Sequence, residues 1–318
     1  MRRLTWTVTA SAFVLLSVGL GSQQQTPQEM SWAFPAKVEM NQPPIPETPG
    51  PKQLPGSSKM YTQQEVDNLA SPPDWFPDQH PAAPKIVTDG TANKGFACGS
   101  CHLMSGLGHP ESSDLMGLAA GYIIQQMADF KSGARKEPIR MNGIAMATSD
   151  EDVSQAAQYF SNLKPGPAPT IKVVEADMVP KTYLGPGRMR FVQPDGAMEA
   201  IGNRIIMVPE DVAKARLRDP QTSFITYVPM GSVARGKTLV DSGGGKTVSC
   251  ATCHNDKLDG LGNVPRIAGH HPIYTVRQLY TFKDGSRAGA DSELMKGVVA
   301  GLDDGDILAI AAYLGSVH

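Results

Sequence analysis

Two stretches of the chain repeat one apolar pattern at helical spacing. Residues 121–135 and 273–287 align so that Tyr122/Tyr274, Gln126/Gln278, Phe130/Phe282, Lys131/Lys283, Gly133/Gly285 and Arg135/Arg287 fall in register. Each predicts a helix with one apolar face, and the Gly after its last turn suits a C-terminal cap. A second matched pair follows. Met141 to Leu163 holds Ser149-Asp150-Glu151-Asp152 and then Val153, Ala156, Ala157 and Phe160. Met295 to Val317 holds Asp303-Asp304-Gly305-Asp306 and then Ile307, Ile310, Ala311 and Leu314. An acidic or hydroxyl start before an i, i+3, i+4, i+7 stripe predicts a capped helix with one buried side. The chain therefore contains two copies of one unit.

The pattern changes between the copies. Ile171 to Val174, Met189 to Val192, Arg204 to Val208 and Phe224 to Val228 read as short strands separated by Pro and Gly. Ahead of the first copy, Ser22 to about Gly56 is rich in Gln and Pro without apolar periodicity, which predicts an extended tether. Tyr61 to Ala70 predicts a short helix. Ser71-Pro72-Pro73-Asp74-Trp75-Phe76-Pro77 predicts a rigid turn whose two rings pack on the first unit. At the N-terminus, Arg2 and Arg3 precede a largely apolar run from Leu4 to Leu20, with small residues at Gly19, Gly21 and Ser22. Residues 1–21 thus read as a signal peptide or N-terminal anchor, placing the folded part in the periplasm. The organisation that follows is 22–81 as tether and turn region, 82–164 and 230–318 as the two units, and 165–229 as an inter-domain segment. The fold class is mainly α.

Charge adds little: 29 Lys and Arg stand against 31 Asp and Glu. A net charge of −2 offers neither a nucleic-acid footprint nor a polybasic membrane surface. The four cysteines add much more. They occur as Cys98-Gly99-Ser100-Cys101-His102 and Cys250-Ala251-Thr252-Cys253-His254, one motif opening each copy. Two thiols a helical turn apart can add across the two vinyl groups of a haem, and the adjacent imidazole can bind its iron. A zinc site would need a second ligand pair near each motif, and none is present. The cofactors expected are two covalently bound haems c, with no cysteine left for a disulfide or a catalytic thiolate.

The sixth ligand decides what such an iron can do, because a His/Met pair closes the site to small molecules. Met295 is the only Met after the second motif, 41 residues beyond His254 and seven before Leu302. Met141 lies 39 residues beyond His102 and seven before Thr148. Met104, Met116, Met127 and Met146 do not keep that register and read as packing residues. The ligand pairs expected are His102/Met141 and His254/Met295, with His109, His270 and His271 as loop residues. Tyr122 and Tyr274, Gln126 and Gln278, and Arg135 and Arg287 have two open readings: contacts to the porphyrin and its propionates, or helix packing with a surface cation.

These residues carry a resemblance. Cys-x-x-Cys-His, Ala-Gly ahead of Tyr-x-x-x-Gln, Phe-Lys-x-Gly-x-Arg, Met, an acidic helix start and Ala-Ala-Tyr resemble the tandem two-haem class I cytochromes c of bacteria. The likeness covers about Gly90 to Leu163 and Gly231 to Val317. It implies an electron carrier and not an enzyme, with a dehydrogenase or quinol-oxidising complex as donor and an oxidase as acceptor. It also implies that a Pro carbonyl, here that of Pro265, accepts the N–H of His254. The first copy departs from this, since Ser113 holds the aligned place and Pro110 is displaced. The long segment 165–229 also lies outside the family pattern and allows a subunit docked to a dehydrogenase. A two-haem peroxidase would also suit the length and the two motifs. It needs one iron with an open sixth position, which two equivalent Met residues argue against.

Overall fold

The computed structural model describes residues 32–34, 42–45, 47–90, 95–137, 139–164 and 171–317. Residues 1–21 and about half of the predicted tether lie outside them. The chain begins with short helices α1 (Gln63–Val66), α2 (Lys85–Thr88) and α3 (Gly99–His102). The first copy continues through α4 (Ala120–Ser132), α5 (Met141–Ala147) and α6 (Asp150–Asn162). The intervening segment forms β1 (Ile171–Glu175), β2 (Met178–Pro180), β3 (Thr182–Leu184), β4 (Arg190–Val192), β5 (Met198–Ala200), β6 (Ile206–Pro209), α7 (Val212–Arg216) and β7 (Phe224–Val228). The second copy comprises α8 (Ser232–Ser242), α9 (Ala251–His254), α10 (Pro272–Lys283), α11 (Glu293–Ala300) and α12 (Asp304–Ser316).

The helix signals act where the sequence puts them. Gly133 takes the left-handed conformation that ends α4 (φ 80°), and the Ser149 hydroxyl caps α6 by accepting from Asp152 N–H. Asp303 and Asp306 form a reciprocal capping box on α12. Helix α8 was not predicted. It packs along α12, and Gly236 lets the two helices approach closely. A Cβ at Gly236 would lie 2.6 Å from the Ala309 carbonyl carbon and 2.8 Å from Tyr313 Cβ.

Segment 171–228 holds a mixed three-stranded sheet in the order β1-β7-β6, with β1 parallel to β7 and β6 antiparallel to it. Two antiparallel pairs, β2–β5 and β3–β4, complete it. All four predicted strands are present, and β2, β3 and β5 are additional. A parallel β1–β7 pair requires a long connection between its strands, which the rest of the segment provides. The segment shares one core with the second copy: Tyr183, Phe191, Ile205 and Phe224 pack in the same cluster as Leu239, Val276, Ile307 and Ile310. The first copy has its own core of Ile86, Val87, Met116, Leu118, Ala157 and Phe160.

The region ahead of the first copy is more structured than its composition suggests. Leu54, Val66 and Trp75 form a small core with Tyr61, Phe76 and Leu217. Trp75 therefore packs chiefly on its own segment, and its indole N–H donates to the Leu217 carbonyl of the inter-copy segment (2.7 Å). The expected packing against the first unit is instead supplied by His80. Its Nε2 faces Asp74 Oδ1 (3.1 Å), and its Nδ1 faces Pro81 O (2.9 Å) and the Tyr159 hydroxyl (3.1 Å).

Candidate functional site

Each Cys-x-x-Cys-His motif forms a single helical turn, α3 or α9, and its cysteines form no disulfide. The residue after each His is turned out of the helix at positive φ, Leu103 at 62° and Asn255 at 61°. This ends the turn and sends the chain into a loop that returns beside the imidazole. There the two copies do the same thing. His102 Nδ1 lies 2.8 Å from Ser113 O, and His254 Nδ1 lies 2.8 Å from Pro265 O. The first copy's departure from the family pattern is therefore harmless, because the acceptor is a main-chain carbonyl that Ser supplies as well as Pro. Donating Nδ1–H to a carbonyl leaves Nε2 as the bare nitrogen, the form a metal binds. Burial also lowers the pKa of both imidazoles, favouring that neutral state. Burial pushes the Cys98 thiol up to about 12 and the Cys250 thiol up to about 11. No group of three His, Cys, Asp or Glu side chains placed to hold a metal ion occurs among the described residues.

Above the first motif lies a cavity of about 350 Å³. Cys101, His102 and Met141 all line it, with Tyr122, Phe130 and Arg135. The main-chain N–H groups of Arg140 and Met141 both donate to Glu137 Oε2 at 2.8 Å, fixing where α5 starts and hence where Met141 stands. In the second copy, Cys250, Ile267 and Met295 pack against one core cluster, with Met295 in the first turn of α11. The rival methionines stand elsewhere. Met104 and Met116 belong to the first core, and Met146 is exposed. Met127 does line the cavity, but from α4 and without a counterpart in the second copy. His270 and His271 are buried rather than loosely placed. His270 Nε2 lies 2.8 Å from Arg266 O, and the His271 ring stands edge-on to Phe224.

The matched Tyr, Gln and Arg residues meet one another. Arg135 and Arg287 form an antiparallel bridge, with Lys136 N–H donating to Ser286 O and Ala288 N–H to Ala134 O, both at 2.7 Å. The copies are thus related by a local two-fold at this point. Arg135 donates to Gln126 and Gln278 (both 2.7 Å). Arg287 donates to Gln278 (3.0 Å), Gln126 (2.8 Å) and the Tyr122 hydroxyl (2.9 Å). Both arginines are buried, at 9% and 6% exposure, and each guanidinium covers a Phe ring of its own copy, Phe130 or Phe282, at 4.4 Å. These hydrogen bonds end on neutral groups, and Arg287 Nε has no partner. Burial, reinforced by the like charge of Arg287, lowers the pKa of Arg135. Burial alone would raise the Tyr122 phenol, but the two guanidiniums outweigh it and hold it below its usual range. Neither reading of these residues from sequence included a contact between the copies. The available signal was a polar set repeated identically on one helix face of each copy, as a self-complementary interface requires. Two ion pairs extend the contact: Asp114–Arg266 (2.5 Å) and Glu111–Arg277 (2.9 Å).

Comparisons with known proteins identify the family. The family model described as Cytochrome c matches residues 233–318. A protein of Stutzerimonas stutzeri (strain A1501) named thiosulfate dehydrogenase electron acceptor is 27% identical over 237 residues, spanning 73% of this chain and 85% of that protein. Cytochrome c4 of Azotobacter vinelandii is 26% identical over 247 residues, spanning 72% and 90%. Cytochrome c-554(548) of Halomonas halodenitrificans is 34% identical over 76 residues, spanning 24% of this chain and 92% of that protein.

Proposed function

The chain belongs to the cytochrome c family, in its two-haem branch, and from that premise we propose that it is a periplasmic electron carrier with two closed His/Met irons. Two haems c are its cofactors, each able to gain and lose one electron at iron, and electron transfer rather than enzymatic turnover is its activity. In this reading Cys98 and Cys101 hold one haem and Cys250 and Cys253 the other. His102 with Met141, and His254 with Met295, ligate the irons. The units carrying them span 82–164 and 230–318.

The observation that carries the proposal is the equality of the two imidazoles. Each has Nδ1 held 2.8 Å from a main-chain carbonyl eleven residues on, and each copy has a Met near the start of the matching helix. The protein's residues then do three things. The carbonyls of Ser113 and Pro265 fix the imidazole tautomer and orientation. The cores around each motif exclude water, which limits reorganisation when the charge at iron changes. Arg135 and Arg287, cationic, buried and without a carboxylate in their hydrogen bonds, supply the compensation that haem propionates need. The Nε atom of Arg287, which has no partner, supports that role.

The partners proposed are a periplasmic dehydrogenase or quinol-oxidising complex as donor and an oxidase as acceptor. One relative's name favours a specific version, the electron-accepting subunit of a dehydrogenase. No helix among the described residues is long and apolar enough to cross a membrane. Optical and electron-paramagnetic-resonance spectra of the oxidised protein, before and after adding peroxide, test the carrier reading. Two low-spin irons unchanged by peroxide are expected. A high-spin iron that binds peroxide would instead establish a peroxidase.

A further inference from the structure

The two Cys-x-x-Cys-His turns differ in what meets their backbone. Turn α3 is only four residues long, so its last carbonyls find no partner within the helix. Ser100 in that turn is fully buried, and its own hydroxyl donates to Ala97 O (2.7 Å). The Ser100 carbonyl accepts instead from Nη1 of Arg218, a residue of the inter-copy segment. The corresponding residue of α9, Thr252, is exposed to solvent.

Arg218 occupies a position that suits another residue. Helix α7 ends in a Schellman turn, with Arg218 N–H donating to Ala215 O and Asp219 N–H to Lys214 O, both at 3.1 Å. Such a turn needs one residue in the left-handed region, and here it is Arg218, at φ 55°. Glycine takes that conformation without strain. An Arg there carries a charged side chain from the end of α7 onto α3. Two residues earlier, Arg216 is neutralised by Glu47 (2.6 Å) and Asp67 (3.2 Å). The hydrogen bond of Arg218 ends on a neutral carbonyl, and Asp67 acts on it only through space.

This charge acts at the first motif itself. Arg218 and Cys101 interact electrostatically, and Arg218 joins burial in lowering the pKa of His109, in the loop beside the turn. Other charges at the two turns match, since Asp152 acts on Cys98 and Asp241 on Cys250. Arg218 breaks that symmetry. A nearby cation favours the reduced, less positive iron, and more so where water is partly excluded. Resting on the ligand reading above, we propose that Arg218 is a potential-setting residue of the first haem site. It holds a positive charge against the Cys98–Cys101 turn and strengthens the first iron's hold on its electron. One electron arrives at or leaves that iron, and no bond is made or broken.

Spectroelectrochemical titration of the haem-loaded full chain tests this. A Met295→His background moves the second haem to low potential and leaves the first to titrate alone, and Met141→His does the reverse. Arg218→Gly removes the charge while fitting the left-handed turn, so the fold is kept. It should weaken the first haem's electron affinity about threefold to tenfold, equal to about 30–60 mV for one electron. The second haem should change by less than about twofold. Arg218→Lys keeps a cation and should hold the first haem within about twofold of its wild-type affinity. An unmoved first potential, equal shifts at both haems, or a Lys variant that behaves like Gly overturns the proposal. The wild-type spectrum separates the two ideas. Missing Met ligation refutes the ligand reading, whereas normal spectra with an unmoved potential refute only the role of Arg218.

Discussion

Gly236→Ala should destabilise the second copy, although Gly to Ala in a helix interior ordinarily stabilises by about 1 kcal/mol. Gly236 is buried in the middle of α8, where that gain would be expected in full. Against it, the added methyl would meet the Ala309 carbonyl carbon at 2.6 Å and Tyr313 Cβ at 2.8 Å. Carbon atoms settle at about 3.5–4.0 Å, so α8 and α12 must part by roughly 1 Å. That opening falls on a crossing that buries Leu239, Val240, Ile310 and Ala312. Overpacking a close-fitted core costs about 1–3 kcal/mol, and the absence of any flexible side chain to yield puts this site at the upper end. The net loss is about 2 kcal/mol, which for a unit coupled to the inter-copy segment lowers the melting temperature by roughly 4–8 °C. Thermal unfolding of the haem-loaded protein, followed in the far ultraviolet and the Soret band, measures it. Thr238→Ala, exposed on the same helix, controls for propensity and should be neutral or slightly stabilising. A Gly236→Ala protein that melts at or above wild type would refute the packing argument.

Arg287→Met removes a buried cation and its hydrogen bonds to Gln126, Gln278 and Tyr122. It should destabilise the haem-loaded protein by about 3 kcal/mol and lower both midpoint potentials in a spectroelectrochemical titration, because a nearby positive charge favours the reduced iron. The His80–Asp74 contact should make the segment before the first copy pH-sensitive. The Asp74 hydrogen bond raises the His80 pKa against the opposing effect of burial. That contribution is full below the unfolded value of about 6.5 and is lost as pH rises through the higher folded value. Limited proteolysis within 47–81 should therefore accelerate between about pH 6 and pH 9, and His80→Gln should flatten that dependence. Asp303, held down to about 2 by hydrogen bonds from Lys246 and Asp306 N–H that outweigh burial, acts in the opposite sense. Its contribution is present above about pH 3.8 and is lost as pH falls towards 2. Since its side chain is half-exposed, Asp303→Asn should cost well under 2 kcal/mol near neutrality, with a flattened acid limb in pH-dependent unfolding.

The motifs, the repeat and the helices with strong caps were readable because their signals are local. Ser149 and Asp303 cap the helices they were expected to start, and Gly133 ends its helix. What escaped depended on chain segments far apart. Helix α8 has a weak apolar stripe interrupted by Gly236, and only its fit against Ala309 shows why a Gly belongs there. Strands β2, β3 and β5 are three residues each and lie among Pro and Gly, too short for an alternation to register. The repeat placed Ser113 opposite Pro265, but residue type could not show that Ser serves equally well, since the acceptor is a main-chain carbonyl. The polar set of Tyr122, Gln126, Arg135 and their counterparts was visible as a repeat, but its meaning required knowing that the two copies face each other.

Near-infrared and optical spectra of the oxidised protein, recorded for wild type, Met141→His and Met295→His, test the central claim most directly. Wild type should show iron–thioether charge-transfer absorption from both haems, each variant should lose about half of it while remaining low-spin, and the double variant should lose it all. Absorption that survives the double substitution, or a wild-type protein with one high-spin iron, would contradict two closed His/Met centres.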